Sequence, residues 1–240
     1  MEATEIRKLA ALEDKHWWYR ERRALLAREL RRLGPPGRAL DIGAAGGGNT
    51  RVMRAHGWSP IAVEYGAEGA EVARERGLRV LRADARQLPV ESGSADLVVA
   101  FDVLEHIEED YLAVAEFRRV LRPGGTLLIA VPCDMRLWSA HDVAVDHVRR
   151  YSRDGLESVV RKAGFDIDAL WSWNVLLRPV AAWRRKRATE SDLTELSPVV
   201  NGALTAIITA ERYLPVKSLS GISLMLRGRR PDANASRPVS

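Results

Sequence analysis

Histidines and strand-end acids carry most of the chemistry open to this sequence of 240 residues. His106 stands in "FDVLEHIEED", and His141 and His147 stand in "WSAHDVAVDHVRRYS"; each stretch follows an apolar run that reads as a strand. Imidazole titrates near neutrality, so these three are the candidate proton acceptors. His56, in "RAHGW" at a helix end, reads as structural. The acids Asp41, Glu64 and Asp84 close three successive apolar runs, in "ALDIGAAGGGNT", "IAVEYG" and "LRADARQLP". After the first of them comes a loop of small residues, Gly43, Ala44, Ala45, Gly46, Gly47 and Gly48. Such a loop lets the backbone approach a ligand closely, but Ala45 occupies the middle glycine of the dinucleotide fingerprint. Carboxylates at consecutive strand ends suit a nucleoside that carries a positive charge and no phosphates. A pyrophosphate would be repelled there.

Those residues need a scaffold that brings strand ends together. Apolar runs at Arg38 to Ile42, Pro60 to Glu64, Leu78 to Ala83, Ala95 to Phe101 and Thr126 to Val131 read as strands. Amphipathic stretches near Asn49 to His56, Ala67 to Arg76 and Glu108 to Leu121 read as helices. Alternation of the two predicts an α/β fold of Rossmann-like form, a mostly parallel sheet of seven strands with helices on both faces. A helix capped at Ser152 and ending at Gly164, a strand to Trp173 and a last strand in "SGISLMLRG" complete it. Helical spacing from Glu5 to Leu33 predicts an N-terminal arm over residues 1–34, stopped by "GPPG". The main domain then spans 35–228 with a helical insertion at 174–217, and the tail 229–240 lacks apolar periodicity and is expected to be disordered.

Composition narrows the function classes. Apolar residues at 46% and charged residues at 29% fit one globular domain, and no apolar run reaches the roughly 18 residues of a spanning helix. The first residues lack the basic-then-apolar layout of a signal peptide, so a cytoplasmic location is expected. Cys133 is the single cysteine, which excludes an internal disulfide and a cysteine-rich zinc site. The net charge of +5 rests largely on arginine, with no separate RNA-binding module, and nucleic acid is not an expected partner.

The ordered set "ALDIGAAGGG", "IAVEYG", "RADARQLP", "ADLVVAFDVLEHI" and "FRRVLRPGGTLLIAVP" resembles the class I S-adenosylmethionine-dependent methyltransferases, over about residues 38 to 173. Within them it is most similar to small-molecule enzymes such as the ubiquinone-pathway O-methyltransferases. The resemblance implies S-adenosylmethionine as cofactor. It places Asp41, Gly43 and Gly47 at the methionine moiety, Glu64 on the ribose, and Tyr65 beside the adenine. Asp84 and the backbone of Ala85 would read the adenine edge, and Phe101 would lie near the amino-acid end. The departure is Ala45, where the family usually has glycine. Relatives also hold a divalent ion with sets like Asp102, Glu105, His106 and His141 or His147. Many carry the Glu-His pair without metal, and no metal is the expectation here.

The cofactor carries an electrophilic methyl group, so the protein must mainly align the acceptor and remove a proton where one is lost. With histidines near the ligand face, O-methylation of a small molecule is the favoured reading. The arm, with Trp17, Trp18 and Tyr19, is either core packing or a lid. In the insertion, Arg178, Arg184, Arg185, Lys186 and Arg187 cluster around Trp183, beside the apolar "LSPVVNGALTAIITAERYLPV". These segments point to an apolar or lipid-like acceptor, peripheral membrane contact or a homodimer. Methylation of a polyprenyl or lipid-linked glycan precursor is the second reading, and a nucleoside-binding regulator without turnover is a third.

Overall fold

A computed structural model describes residue 7, residues 10–185 and residues 196–232. Its strands are β1 (Arg38–Ile42), β2 (Ser59–Glu64), β3 (Val80–Arg82), β4 (Ala95–Phe101), β5 (Leu121–Pro132), β6 (Asp166–Trp173) and β7 (Ser223–Arg229). They form a seven-stranded sheet in the order β3-β2-β1-β4-β5-β7-β6. The pairs from β3 to β5 are parallel, and β7 runs antiparallel between β5 and β6. The chain winds outward in one direction from β1 and in the other from β4. Ligands of such sheets bind where that direction reverses, beyond the carboxyl ends of the strands.

Burial on both faces explains why the central strands read as unbroken apolar runs. Along β4, Val98 and Ala100 pack with Leu40, Phe117, Leu127 and Leu156 on one face. Leu97 and Val99 pack with Leu26, Met53, Leu128 and Met225 on the other, as the two-residue period of a strand requires. The second face is covered by α1 (Trp17–Leu30), α2 (Gly48–Ala55) and α8 (Pro198–Glu211). The remaining helices are α3 (Ala67–Glu75), α4 (Asp110–Val120), α5 (Ala140–Ala144), α6 (Arg153–Lys162) and α7 (Arg178–Arg185). Among the described residues no helix is long and apolar enough to cross a membrane.

Three boundaries differ from the sequence expectations. The arm is not one helix: the chain turns over residues 13–16 and restarts at Trp17, where the His16 ring accepts a hydrogen bond from the Trp18 amide. The turn directs Glu13 inward, and its carboxylate meets Arg23, Arg51 and Arg76. Strand β5 begins at Leu121, because "RPGG" continues into the sheet through the pairing of Leu121 with Ala95 and a register shift beyond it. Two residues of the expected tail are ordered: Arg229 belongs to β7, and the Arg230 guanidinium donates to the carbonyls of Arg118, Arg119 and Leu121. Residues 233–240 of that tail lie outside the described residues, as do Lys186 and Arg187 of the insertion.

Asp41 occupies the middle of this sheet and is fully buried. Its Oδ2 accepts a hydrogen bond from the Thr50 hydroxyl at 2.5 Å, while Oδ1 has no partner among the described residues. Burial pushes its pKa up to about 7 in spite of the Thr50 bonds, and Glu64 and Glu13 add to the rise. The fold therefore retains a proton that the unfolded chain releases above about pH 4. Stability from this group is greatest below that pH and falls as pH rises towards 7, by up to ~1.4 kcal/mol per pH unit. Urea unfolding of the wild type and D41N between pH 4.5 and 7.5 measures it; the difference between them is expected to shift against the wild type as pH rises.

Candidate active site

A cavity of about 380 Å³ opens at the carboxyl ends of β1, β4 and β5. Its floor is the glycine loop, with Gly43, Ala44, Ala45 and Gly48, together with Phe101 and Asp102 at the end of β4. Gly43 and Gly47 have positive φ of 64° and 79°. A Cβ on Gly43 would lie 2.6 Å from Val103, and one on Gly47 would run into Leu78, so the loop follows this path only with glycine at both places. The arm supplies one wall through Glu13, His16, Trp17, Trp18, Tyr19 and Arg22. The insertion supplies another through Leu177, Val180, Ala181 and Leu204.

The acids at the strand ends are all engaged, in different ways. Glu64 accepts hydrogen bonds from the amides of Ala45 at 2.6 Å and Tyr65 at 3.1 Å, so it braces the turn of the glycine loop. Tyr65 itself is exposed. Asp84 is held by Arg86, whose guanidinium also reaches Glu109, and that contact holds the Asp84 carboxyl below its ordinary range. Gly43 and Phe101 lie on the cavity wall, whereas Asp41, Gly47, Glu64, Tyr65, Asp84 and Ala85 lie outside it on the β1 to β3 side.

All three candidate histidines come together on the wall. The ring centroids of His106 and His147 are 4.7 Å apart, and those of His141 and His147 are 6.4 Å apart. His147 is held in a defined orientation. Its Nδ1 lies 2.9 Å from Asp142 Oδ1, and its amide donates to the Asp142 carbonyl. Burial works against the Asp142 carboxylate, but the bond from His147 and the Arg150 guanidinium, 2.8 Å away, outweigh it and hold the pKa below the usual value. An ionised carboxylate only accepts, so in the neutral ring Nδ1 carries the hydrogen and Nε2 presents a lone pair. His106 differs: burial and the neighbouring His147 push its pKa down to about 4, so its ring is neutral.

Asp142 and Arg150 were not among the residues singled out in the sequence. The signal for Asp142 was the spacing within "HDVAVDH", where it precedes His147 by one helical turn and a residue. Arg22 left no signal beyond a run of charges. It is buried with its guanidinium 5.1 Å from the Phe101 ring centre and 5.9 Å from that of Trp173, paired with Asp102. Asp102 in turn has a positive φ of 55°, a conformation uncommon outside glycine. Of the set with which relatives hold a divalent ion, Asp102 is taken by Arg22, and Glu105, His106 and His147 offer ligand atoms within 4.8 Å of one another.

Comparison with known proteins agrees with this architecture. A family model described as a methyltransferase domain matches residues 16–170. A probable S-adenosylmethionine-dependent methyltransferase of Mycobacterium tuberculosis is 30% identical over 166 residues, 66% of this chain and 59% of that protein. A ubiquinone biosynthesis O-methyltransferase of Xanthomonas campestris is 31% identical over 144 residues, 53% of this chain and 60% of that protein. The chain thus spans about three fifths of the length of these curated relatives. Among solved structures, a possible histamine N-methyltransferase of Thermotoga maritima superposes with a TM-score of 0.62 at 20% identity, covering 95% of this chain and all of that one. A phosphoethanolamine N-methyltransferase of Haemonchus contortus, solved with S-adenosylmethionine, gives 0.62 at 19% identity over 88% of this chain and 53% of that one. With the family model covering well over half of the sequence, the chain belongs to the class I S-adenosylmethionine-dependent methyltransferases.

Proposed function

We propose that this protein transfers a methyl group from S-adenosylmethionine to a hydroxyl of a small molecule, with His147 as the general base. The observation that carries the reading is the bond between His147, on the cavity wall, and the buried Asp142, which in the neutral ring leaves Nε2 without a hydrogen. The glycine loop fits the cofactor: its positive-φ glycines keep side chains away, and Asp41 keeps an unpaired oxygen behind it. Gly43, Gly47 and Asp41 would hold the methionine moiety, with Phe101 beside its amino-acid end. Glu64 would hold the ribose, and Tyr65, Asp84 and the backbone of Ala85 the adenine. When bound, the cofactor supplies an electrophilic methyl on a sulfonium that departs as a neutral thioether.

The chain's own residues supply the rest. As the acceptor oxygen bonds to the methyl carbon, its proton passes to His147 Nε2. The Asp142 carboxylate stabilises the imidazolium, and Arg150 holds that carboxylate in place. His106 and His141 shape the wall around it and position the acceptor. The arm would act as the lid: Trp17, Trp18 and Tyr19 line the cavity, and their rings would shield a bound acceptor from water. The apolar insertion side, Leu177, Val180, Ala181 and Leu204, receives the apolar part of the acceptor.

The test is release of S-adenosylhomocysteine from the full chain across panels of hydroxyl, amine and carbon acceptors. Hydroxyl acceptors are expected to turn over best, and H147Q should lower their kcat by ~10² to 10⁴-fold with cofactor affinity unchanged. Faster turnover of amines, or full activity in H147Q, would overturn the assignment. E64Q should weaken S-adenosylmethionine binding by ~10-fold or more in calorimetry, because a charged acceptor on the ribose hydroxyls is lost. Dialysis against a chelator should leave turnover unchanged; loss restored by a divalent ion would move Glu105, His106 and His147 into a metal role.

A further inference from the structure

Two buried side chains on the cavity wall make no hydrogen bond among the described residues. Asn174 is fully buried, and neither its amide nitrogen nor its oxygen has a hydrogen-bond partner among the described residues. It follows the end of β6 in a left-handed conformation, φ 60°, and its backbone N–H donates to Glu211 Oε1 at 2.7 Å. Glu105 is also fully buried, and neither of its carboxylate oxygens has a hydrogen-bond partner among the described residues. Its Oε1 lies 3.9 Å from His147 Nε2, the atom assigned to the reacting proton. Buried polar groups are nearly always satisfied, so two unpaired ones on a single cavity imply a ligand that completes them.

The chemistry of the pair restricts that ligand. A carboxamide needs both a donor and an acceptor, and a carboxyl beside a base needs a donor or shares its own proton. A hydroxyl group satisfies either, since it donates once and accepts twice. One hydroxyl must also stand at His147, so the ligand needs several hydroxyls on a frame small enough for about 380 Å³. The arm adds Trp17, Trp18 and Tyr19 to the same wall, and Trp18 packs on Trp173 with ring centres 4.5 Å apart. Aromatic faces beside carboxyl and carboxamide groups suit a ring that has polar edges and apolar C–H faces.

Resting on the O-methyltransferase reading above, we infer that the acceptor is a sugar ring, recognised by hydrogen bonds from its hydroxyls to Asn174 and Glu105 and packed against the tryptophans of the arm. The ring presents one hydroxyl to His147, and Asn174 and Glu105 decide which. The apolar side at Leu177, Val180 and Ala181 then receives the group attached to the sugar. The step stays balanced: an O–CH3 bond forms, the S–CH3 bond breaks with its electrons left on sulfur, and the hydroxyl proton goes to His147.

The probes are the phenyl glycosides of glucose, galactose, mannose and rhamnose, with phenol and cyclohexanol as sugar-free controls. Full-length protein loaded with S-adenosylhomocysteine is titrated with each, and turnover with S-adenosylmethionine is followed by mass spectrometry of the product. At least one glycoside is expected to bind and to gain a single methyl on a ring hydroxyl, ahead of both controls. N174G removes the carboxamide yet suits the left-handed backbone, and E105Q keeps the shape of the carboxyl. Each should raise the glycoside KM by ~10-fold or more, with a smaller change in kcat and unchanged S-adenosylhomocysteine affinity. Failure of every glycoside to bind, or a KM within twofold of wild type in N174G, would overturn the sugar assignment. Methylation of the controls alone would overturn it and leave the methyltransferase reading standing. Absence of cofactor binding would remove both.

Discussion

The contact on which the site depends is the burial of Arg22. Burial pushes its pKa down to about 10, offset in part by Glu105, and the guanidinium remains charged at neutral pH. Phe101 at the end of β4, Trp173 at the end of β6 and the carboxylate of Asp102 surround it. A charge taken out of water is tolerable only when it is paired, and here the partners lie on the sheet while the charge lies on the arm. The arm is therefore tied to the strand ends, and the cleft beyond them becomes a walled cavity. Glu13 adds a second tie through Arg51 on α2 and Arg76 beyond α3, next to the glycine loop.

Charge is handled differently at each strand end, and that difference sorts the acids by role. Asp41 is buried and held near neutrality by the loss of water around it. Glu64 turns back on the loop amides, and Asp84 is held by Arg86 near the surface. Asp142 is buried like Asp41 but stays ionised, because Arg150 and His147 both reach it. Two buried carboxyls in one domain are thus shifted in opposite directions, Asp41 up and Asp142 down. The one beside a guanidinium is the one that can orient a base.

The insertion joins the site through two routes. Glu211 at the end of α8 accepts the backbone amides of Asn174 and Leu176, which fixes the chain where it leaves β6. Arg185 at the end of α7 donates to the carbonyl of Leu137, in the segment leading to α5. Residues of both helices line the cavity together with those of the glycine loop.

Local patterns in the sequence were enough for the alternating strands and helices, the glycine turn, the acids that follow it and the histidines beyond β4 and β5. Hydrophobic periodicity and the steric demands of positive φ act over a few residues, and neighbours on the chain reveal them. Helix continuity in the arm was misjudged because Glu13 is drawn inward by arginines 10, 38 and 63 positions away. The orientation of His147, the ionised state of Asp142 and the unpaired groups of Asn174 and Glu105 were likewise decided by the packed structure. Burial and ion pairing depend on which distant segments meet. Only the closed sheet, with the arm and insertion laid over it, determines that.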